Sequence, residues 1–213
     1  MRPHTQTGHE IDPDYHVIPV PWSYNPSRWG ERVAIAIVAG VAAVISGYMG
    51  LFQLGMIETV WDPFFGDQSM SVLTSEVSHA LSRWFRIPDA VMGMTAYIAD
   101  IILVLAGSTR RWQYRPWLVA MFGLVVIPLG LVSFTLVAMQ GVVLGMWCFL
   151  CLVTAVLSLA LIVLAWDEVW SSWLYMRRVW METGGDLRIV RDTFMGRPSD
   201  VAYEVGNKMS RRP

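Results

Sequence analysis

At 213 residues the chain has room for one domain of ordinary size or two small ones. Hydrophobic residues make up 54% and charged residues 15%, with a mean hydropathy of +0.44, which excludes a soluble globule of average usage and makes this a membrane protein. The net charge of −1, with no basic face or arm, excludes a nucleic-acid binder that must neutralise many phosphates.

The first 30 residues hold acids, several prolines and no apolar core of a secretory signal peptide, so the first span is expected to direct insertion itself. This tail reads as extended until Trp22, Tyr24 and Trp29 meet the membrane interface. His4, His9 and His16 lack the accompanying cysteine or tight histidine pair of a familiar metal site, and no metal is read there.

A bilayer-crossing helix takes roughly 20 mostly apolar residues. Four segments qualify: 32–57, 88–107, 116–139 and 147–166. The first carries Gly40, Ala43 and Gly47, small residues that let a neighbouring helix come close. The third contains Pro128, expected to kink it. Arg110, Arg111 and Arg115 crowd the connection between the second and third spans, and positive flanks prefer the cytoplasm. Arg28 and Arg32 before the first span, and Arg177 and Arg178 after the fourth, then fall on the same side. Both termini are therefore expected inside, and 58–87 outside.

Within that outer segment, SVLTSEVSHALSRWF (71–85) repeats apolar residues at Leu73, Val77, Ala80, Leu81 and Trp84, a helical period. It is expected to lie flat over the bundle, as an interfacial helix or as a lid over a site. After the fourth span, Trp166, Trp173 and Trp180 recur at sevens beside Trp170, read as a helix anchored at the cytoplasmic interface until Gly184 and Gly185 end it. The last residues show no strong pattern. The expected fold is all-α: an integral membrane four-helix bundle (32–166) with an outer amphipathic helix, an N-terminal tail (1–31) and a cytoplasmic interfacial helix and tail (167–213).

The two cysteines, Cys148 and Cys151, open the fourth span on its outer side. Residues three apart share a helix face, and a helix N-terminus favours a thiolate through its unpaired N–H groups and partial positive charge. Outside a bacterial membrane a disulfide persists or cycles. Two small buried residues at a helix interface fit the same positions. Asp100 lies inside the second span, where an acid needs a partner or a wet cavity, and hydrogen bonding to another span is favoured over proton handling. His79 reads as a solvated helix-face histidine, with proton donation as the alternative.

Taken together, WCFLC at the outer start of a fourth span, VLTSEVSHALSRWFRIP between spans one and two, and Gly93 with Tyr97 in span two resemble the vitamin K epoxide reductase family, over about residues 33 to 166. The resemblance implies a quinone-linked thiol–disulfide oxidoreductase of a bacterial inner membrane, with ubiquinone or menaquinone as cofactor. It assigns Cys151 to the quinone side and Cys148 to exchange with a second thiol pair, and it places Ser75, Asp89 and Tyr97 at the quinone. The departures are equally specific. The family's two loop cysteines are missing, Ser69 standing at the second; Ala155 replaces a tyrosine, and Asp89 an asparagine. No fused thioredoxin-like domain is read at either end. Because thiol exchange needs a thiolate at each step, either a separate thioredoxin-like partner reaches Cys148 directly, or the chain is a non-catalytic subunit or scaffold in a membrane-protein complex.

Overall fold

The computed structural model describes residues 18–19, 21–75, 78 and 87–211. The histidines of the tail, His79 and most of the helix expected over 71–85 lie outside the described residues. In chain order the elements are β1 (Ile18–Pro19), α1 (Trp29–Gln53), α2 (Gln68–Leu73), α3 (Asp89–Leu105), α4 (Arg111–Tyr114), α5 (Pro116–Met139), a π-helical turn (Gln140–Leu144), α6 (Phe149–Glu182), α7 (Leu187–Phe194), α8 (Asp200–Met209) and β2 (Ser210–Arg211). The protein is mostly helical. Three of its helical segments are long and apolar enough to cross a membrane: Trp29–Gln53, Pro116–Leu144 and Phe149–Glu182.

The second expected span, α3, is 17 residues, short of the roughly 20 that a crossing takes. Its end has a physical cause. The last carbonyls of a helix have no intrahelical donor, and here two fully buried arginines supply one. Arg32 donates from Nε to Val104 O (2.6 Å), from Nη2 to Ala106 O (2.7 Å) and from Nη1 to Gly107 O (3.0 Å). Arg111 Nη1 donates to the carbonyls of Leu103, Val104 and Ala106, and Gly107 turns the chain with a φ of +81°. Two arginines expected to flank spans in the cytoplasm are thus packed inside, capping α3.

The membrane core sits where α1, α3, α5 and α6 meet, around Ile35, Ala39, Ala42, Val104, Phe122 and Leu161. Close approach is built on small residues. A Cβ on Gly50 of α1 would fall 2.9 Å from Val91 Cγ2 of α3, and one on Gly130 of α5 would fall 2.4 Å from Ile162 Cδ1 of α6.

The tryptophan-bearing segment corrects the expectation of a separate interfacial helix. No glycine or proline occurs between 149 and 182, and α6 runs unbroken for 34 residues, about 50 Å. That exceeds the ~30 Å hydrocarbon layer, so about 20 Å of its C-terminal half projects beyond it. Trp166, Trp170 and Trp173 stack along that half, with ring centroids 5.7 and 4.8 Å apart. The C-terminal residues, patternless in sequence, fold back onto this projection. Asp186 caps α7 at Arg188 N, Ser199 caps α8 at Ala202 N, and a second core gathers Trp112, Tyr175, Val179, Ala202, Val205 and Met209. β1 and β2 close the unit antiparallel, Ile18 opposite Arg211 and Pro19 opposite Ser210.

Candidate functional site

The head of α6 carries the cysteine pair. The π-helical turn after α5 ends at Gly145, in the left-handed region at φ +61°, and an extended stretch brings the chain to Cys148. Cys148 is the N-cap of α6: its Sγ accepts the Cys151 backbone N–H at 3.2 Å. The two sulfurs are joined, with Cα atoms 5.3 Å apart.

The two cysteines face different surroundings. Cys148 is 0% exposed, packed among Met49, Val60, Val72 and Leu73. Cys151 is half-buried, its sulfur 3.7 Å from Met49 Sδ, and it opens on a cavity between α1, α3, α5 and α6. Asp89 and Tyr97 line the same cavity, together with Thr154, Ser133 and Gln140.

The polar edges of the cavity are well defined. Tyr97 OH shares a 2.6 Å hydrogen bond with Ser158 Oγ, which donates to Ser133 Oγ at 3.3 Å. At the other end Gln53 Nε2 donates to Asp89 Oδ1 (2.5 Å) and to Ser78 Oγ (2.8 Å), and Ser78 Oγ donates to the Asp89 carboxylate at 3.0 Å. Gln140 lies on the cavity wall, and its side-chain oxygen is buried with no hydrogen-bond partner among the described residues. A buried, unmatched amide oxygen facing a cavity is the kind of group a ligand hydroxyl would satisfy.

Three of the five expected site residues, Cys151, Asp89 and Tyr97, therefore meet at one cavity. Ser75 does not line it; its hydroxyl donates to the Val72 carbonyl at 2.6 Å, and the nearby serine on the wall is Ser78. Gln53, Ser78, Gln140 and Ser158 were missed; a polar side chain inside an apolar run is the signal that finds Gln53, Gln140 and Ser158. Asp100 also departs from expectation. Instead of bonding another span, both its carboxylate oxygens are buried without a hydrogen-bond partner among the described residues.

Ser69, at the place of the missing loop cysteine, is fully buried and donates its hydroxyl to Asp62. Asp62 Oδ1 also accepts the N–H groups of Phe64 (2.8 Å) and Phe65 (2.7 Å), and its Oδ2 accepts that of Phe149, the first residue of α6, at 3.1 Å. Gln68 Oε1 accepts Trp147 N–H at 3.1 Å. The 62–69 segment is thereby bonded to the backbone on both sides of Cys148.

Fold and site together define a helical membrane protein with a cysteine pair at the head of its longest apolar helix, one sulfur turned to an intramembrane cavity. The sequence model of the vitamin K epoxide reductase family matches residues 33–166, more than half of the chain. The chain belongs to that family, which consists of membrane thiol–disulfide oxidoreductases. Among curated proteins, none matches it.

Proposed function

We propose that the chain is a quinone-linked thiol–disulfide oxidoreductase, with Cys148 and Cys151 as its redox pair and the cavity at Cys151 as its quinone site. The observation that carries the reading is the shared cavity: Cys151 opens onto the space that Asp89 and Tyr97 line, bonded to a Cys148 turned away from it. When bound, a quinone supplies the acceptor for the two electrons and two protons that a dithiol releases on closing to a disulfide. The chain's own contribution is positional. The Tyr97–Ser158–Ser133 hydroxyls would hold a ring oxygen and the Gln140 amide oxygen would accept from a hydroxyl of the reduced ring, while Met49, Val72 and Leu73 exclude water from the sulfur.

The same proposal takes α3 and its flanks as a fourth span and places both termini in the cytoplasm of a bacterial inner membrane. It divides the chain into a tail (1–31), a membrane unit (32–166) and a cytoplasmic unit (167–213). The outer thiol donor or acceptor is a separate thioredoxin-like protein acting at Cys148.

The test is reduction of a ubiquinone or menaquinone analogue by purified protein with a dithiol donor. Turnover is expected to fall to background in Cys151→Ser, because neither disulfide nor attacking thiolate remains at the cavity. Cysteine-independent turnover, or none with any quinone and donor, removes the proposal. The burial of Cys148 favours one rival reading, a membrane subunit or scaffold that keeps the fold without cycling. Alkylation and mass shift in membranes separate the two: an enzyme's pair switches state with quinone availability, a scaffold's does not.

A further inference from the structure

A second concavity lies at the other end of α6, about 30 Å along the helix from Cys151. It runs between the start of α5, the C-terminal half of α6 and α7, with Met176 and Val190 on its walls. Through Ala120 and Phe194, which belong to both, it joins a second hollow that follows α5 past Met121 to Leu124. The joined groove is apolar along its length; Ser172 and Arg191 are its polar lining.

Its level in the membrane is marked independently. The exposed tryptophan stack on α6 and Trp117 at the start of α5 lie beside it, and indoles concentrate at the boundary between hydrocarbon and headgroups. α7 has the composition of a helix lying in that boundary, with Leu187 (69% exposed) next to exposed Arg188 and Arg191. The groove therefore leads from the headgroup layer at Arg191 toward the acyl layer at Leu124.

The charge at its mouth decides the occupant. Arg191 pairs only with its exposed neighbour Asp192, at 3.3 Å, among the described residues, a contact of little strength. Arg115 emerges at the far end of α7, its Cγ 3.9 Å from where a Cβ on Gly196 would stand. Arg177 lies over the Trp173 ring at 5.6 Å. A headgroup carrying its own cation gains nothing from this array; one with net negative charge gains at each arginine.

We propose that this groove is a binding site for an anionic phospholipid, an acyl chain lying along Ala120 and Leu124 and the phosphate held by Arg191 and Arg115. The site lies mostly outside the matched family region and is independent of the redox reading.

The experiment uses delipidated full-length protein in neutral detergent, given phosphatidylglycerol, phosphatidylcholine or inorganic phosphate, with native mass spectrometry for retained lipid and thermal unfolding for stabilisation. Phosphatidylglycerol is expected to be retained over phosphatidylcholine by roughly fivefold for each arginine engaged. Arg191→Gln and Arg115→Gln, both at exposed positions, each remove about that factor and leave phosphatidylcholine retention and the lipid-free unfolding temperature unchanged. Ala120→Phe, which fills the junction of the two hollows, lowers retention of both lipids. Equal retention of the two lipids overturns the proposal, as does stabilisation by inorganic phosphate equal to that by phosphatidylglycerol. So does a preference that survives the double arginine variant, or a dimer that Ala120→Phe dissociates without changing lipid retention.

Discussion

Replacing Glu168 with alanine is expected to cost the protein a large part of its stability. Glu168 is 1% exposed, and its two oxygens accept Nε and Nη2 of Arg111 at 2.6 and 2.5 Å, with the Ser27 hydroxyl donating to Oε1. Arg111 and Arg32 are both 0% exposed, and among the described residues their other hydrogen bonds go to the carbonyls at the end of α3. Removing the carboxylate strands buried positive charge, which costs about 3–5 kcal/mol. Set against a typical total of about 5–15 kcal/mol, that is roughly a fifth of the stability or more. Thermal or denaturant unfolding in detergent reads the loss. Substituting Arg111→Met into Glu168→Ala removes the stranded charge beside it, so the double variant should be more stable than the sum of the single losses implies. Glu168→Ala unfolding within about 0.5 kcal/mol of the parent would contradict the buried pair as an organising contact. The same cluster ties the N-terminal segment to the bundle, since Ser27 and Tyr24 bond the adjacent acids Glu168 and Asp167 of α6.

How far the fold could be read beforehand depended on how local its causes are. The bounds of α5 were legible because Pro116 opens the helix at its first position. The end of α1 was placed at 57 but comes at Gln53, whose amide is drawn to Asp89, Ser78 and the Leu73 carbonyl. Arg32 and Arg111 were legible as positive flanks, yet their burial needs the carbonyls of a different helix. The unbroken course of α6 is legible in its lack of glycine and proline, a signal masked by the change from apolar run to tryptophan-rich stretch at Trp166. α7 and α8 are short helices whose N-caps, Asp186 and Ser199, are visible, but eight to ten residues of period make little pattern without the α6 surface they pack on. Of the site, spacing puts Cys148 within reach of Cys151, whereas their redox role, Asp89 and Tyr97 came through resemblance. The burial of Cys148 was beyond reach, because it rests on Met49, Val60, Val72 and Leu73, all distant in sequence, with Asp62 bonded to Phe149 from 87 residues away.

That distant contact yields the second large effect: Asp62→Ala is expected to open Cys148 to outside thiols. One carboxylate joins the loop N–H groups of Phe64 and Phe65 and the Ser69 hydroxyl to the first N–H of α6. Hydrogen bonds to a charged acceptor contribute about 1.5–3 kcal/mol when buried, and for this partly exposed carboxylate a loss of about 1.5 kcal/mol in all shifts the closed loop roughly tenfold against an open one. After reduction and brief alkylation, peptide masses should show Cys148 reacting far more slowly than Cys151 in the parent. That gap should narrow by about tenfold in Asp62→Ala, and by less in Asp62→Asn, which keeps an acceptor oxygen. Equal rates at the two cysteines in the parent, or an unchanged ratio in Asp62→Ala, would remove the latch. Its pH range follows from the carboxyl. Partial burial pulls the pKa up, but the bonds from Phe65, Ser69, Phe149 and Phe64 outweigh it and hold the group at about 2, below its ordinary 3.8. A depressed folded pKa contributes stability that is complete above the unfolded value and lost as pH falls toward about 2. The Phe149 amide should therefore stay protected from hydrogen exchange at pH 5 and lose protection only in strong acid. Proton concentration near neutrality does not release the loop, so a thiol partner that uses Cys148 must displace Asp62 from Phe149 by binding.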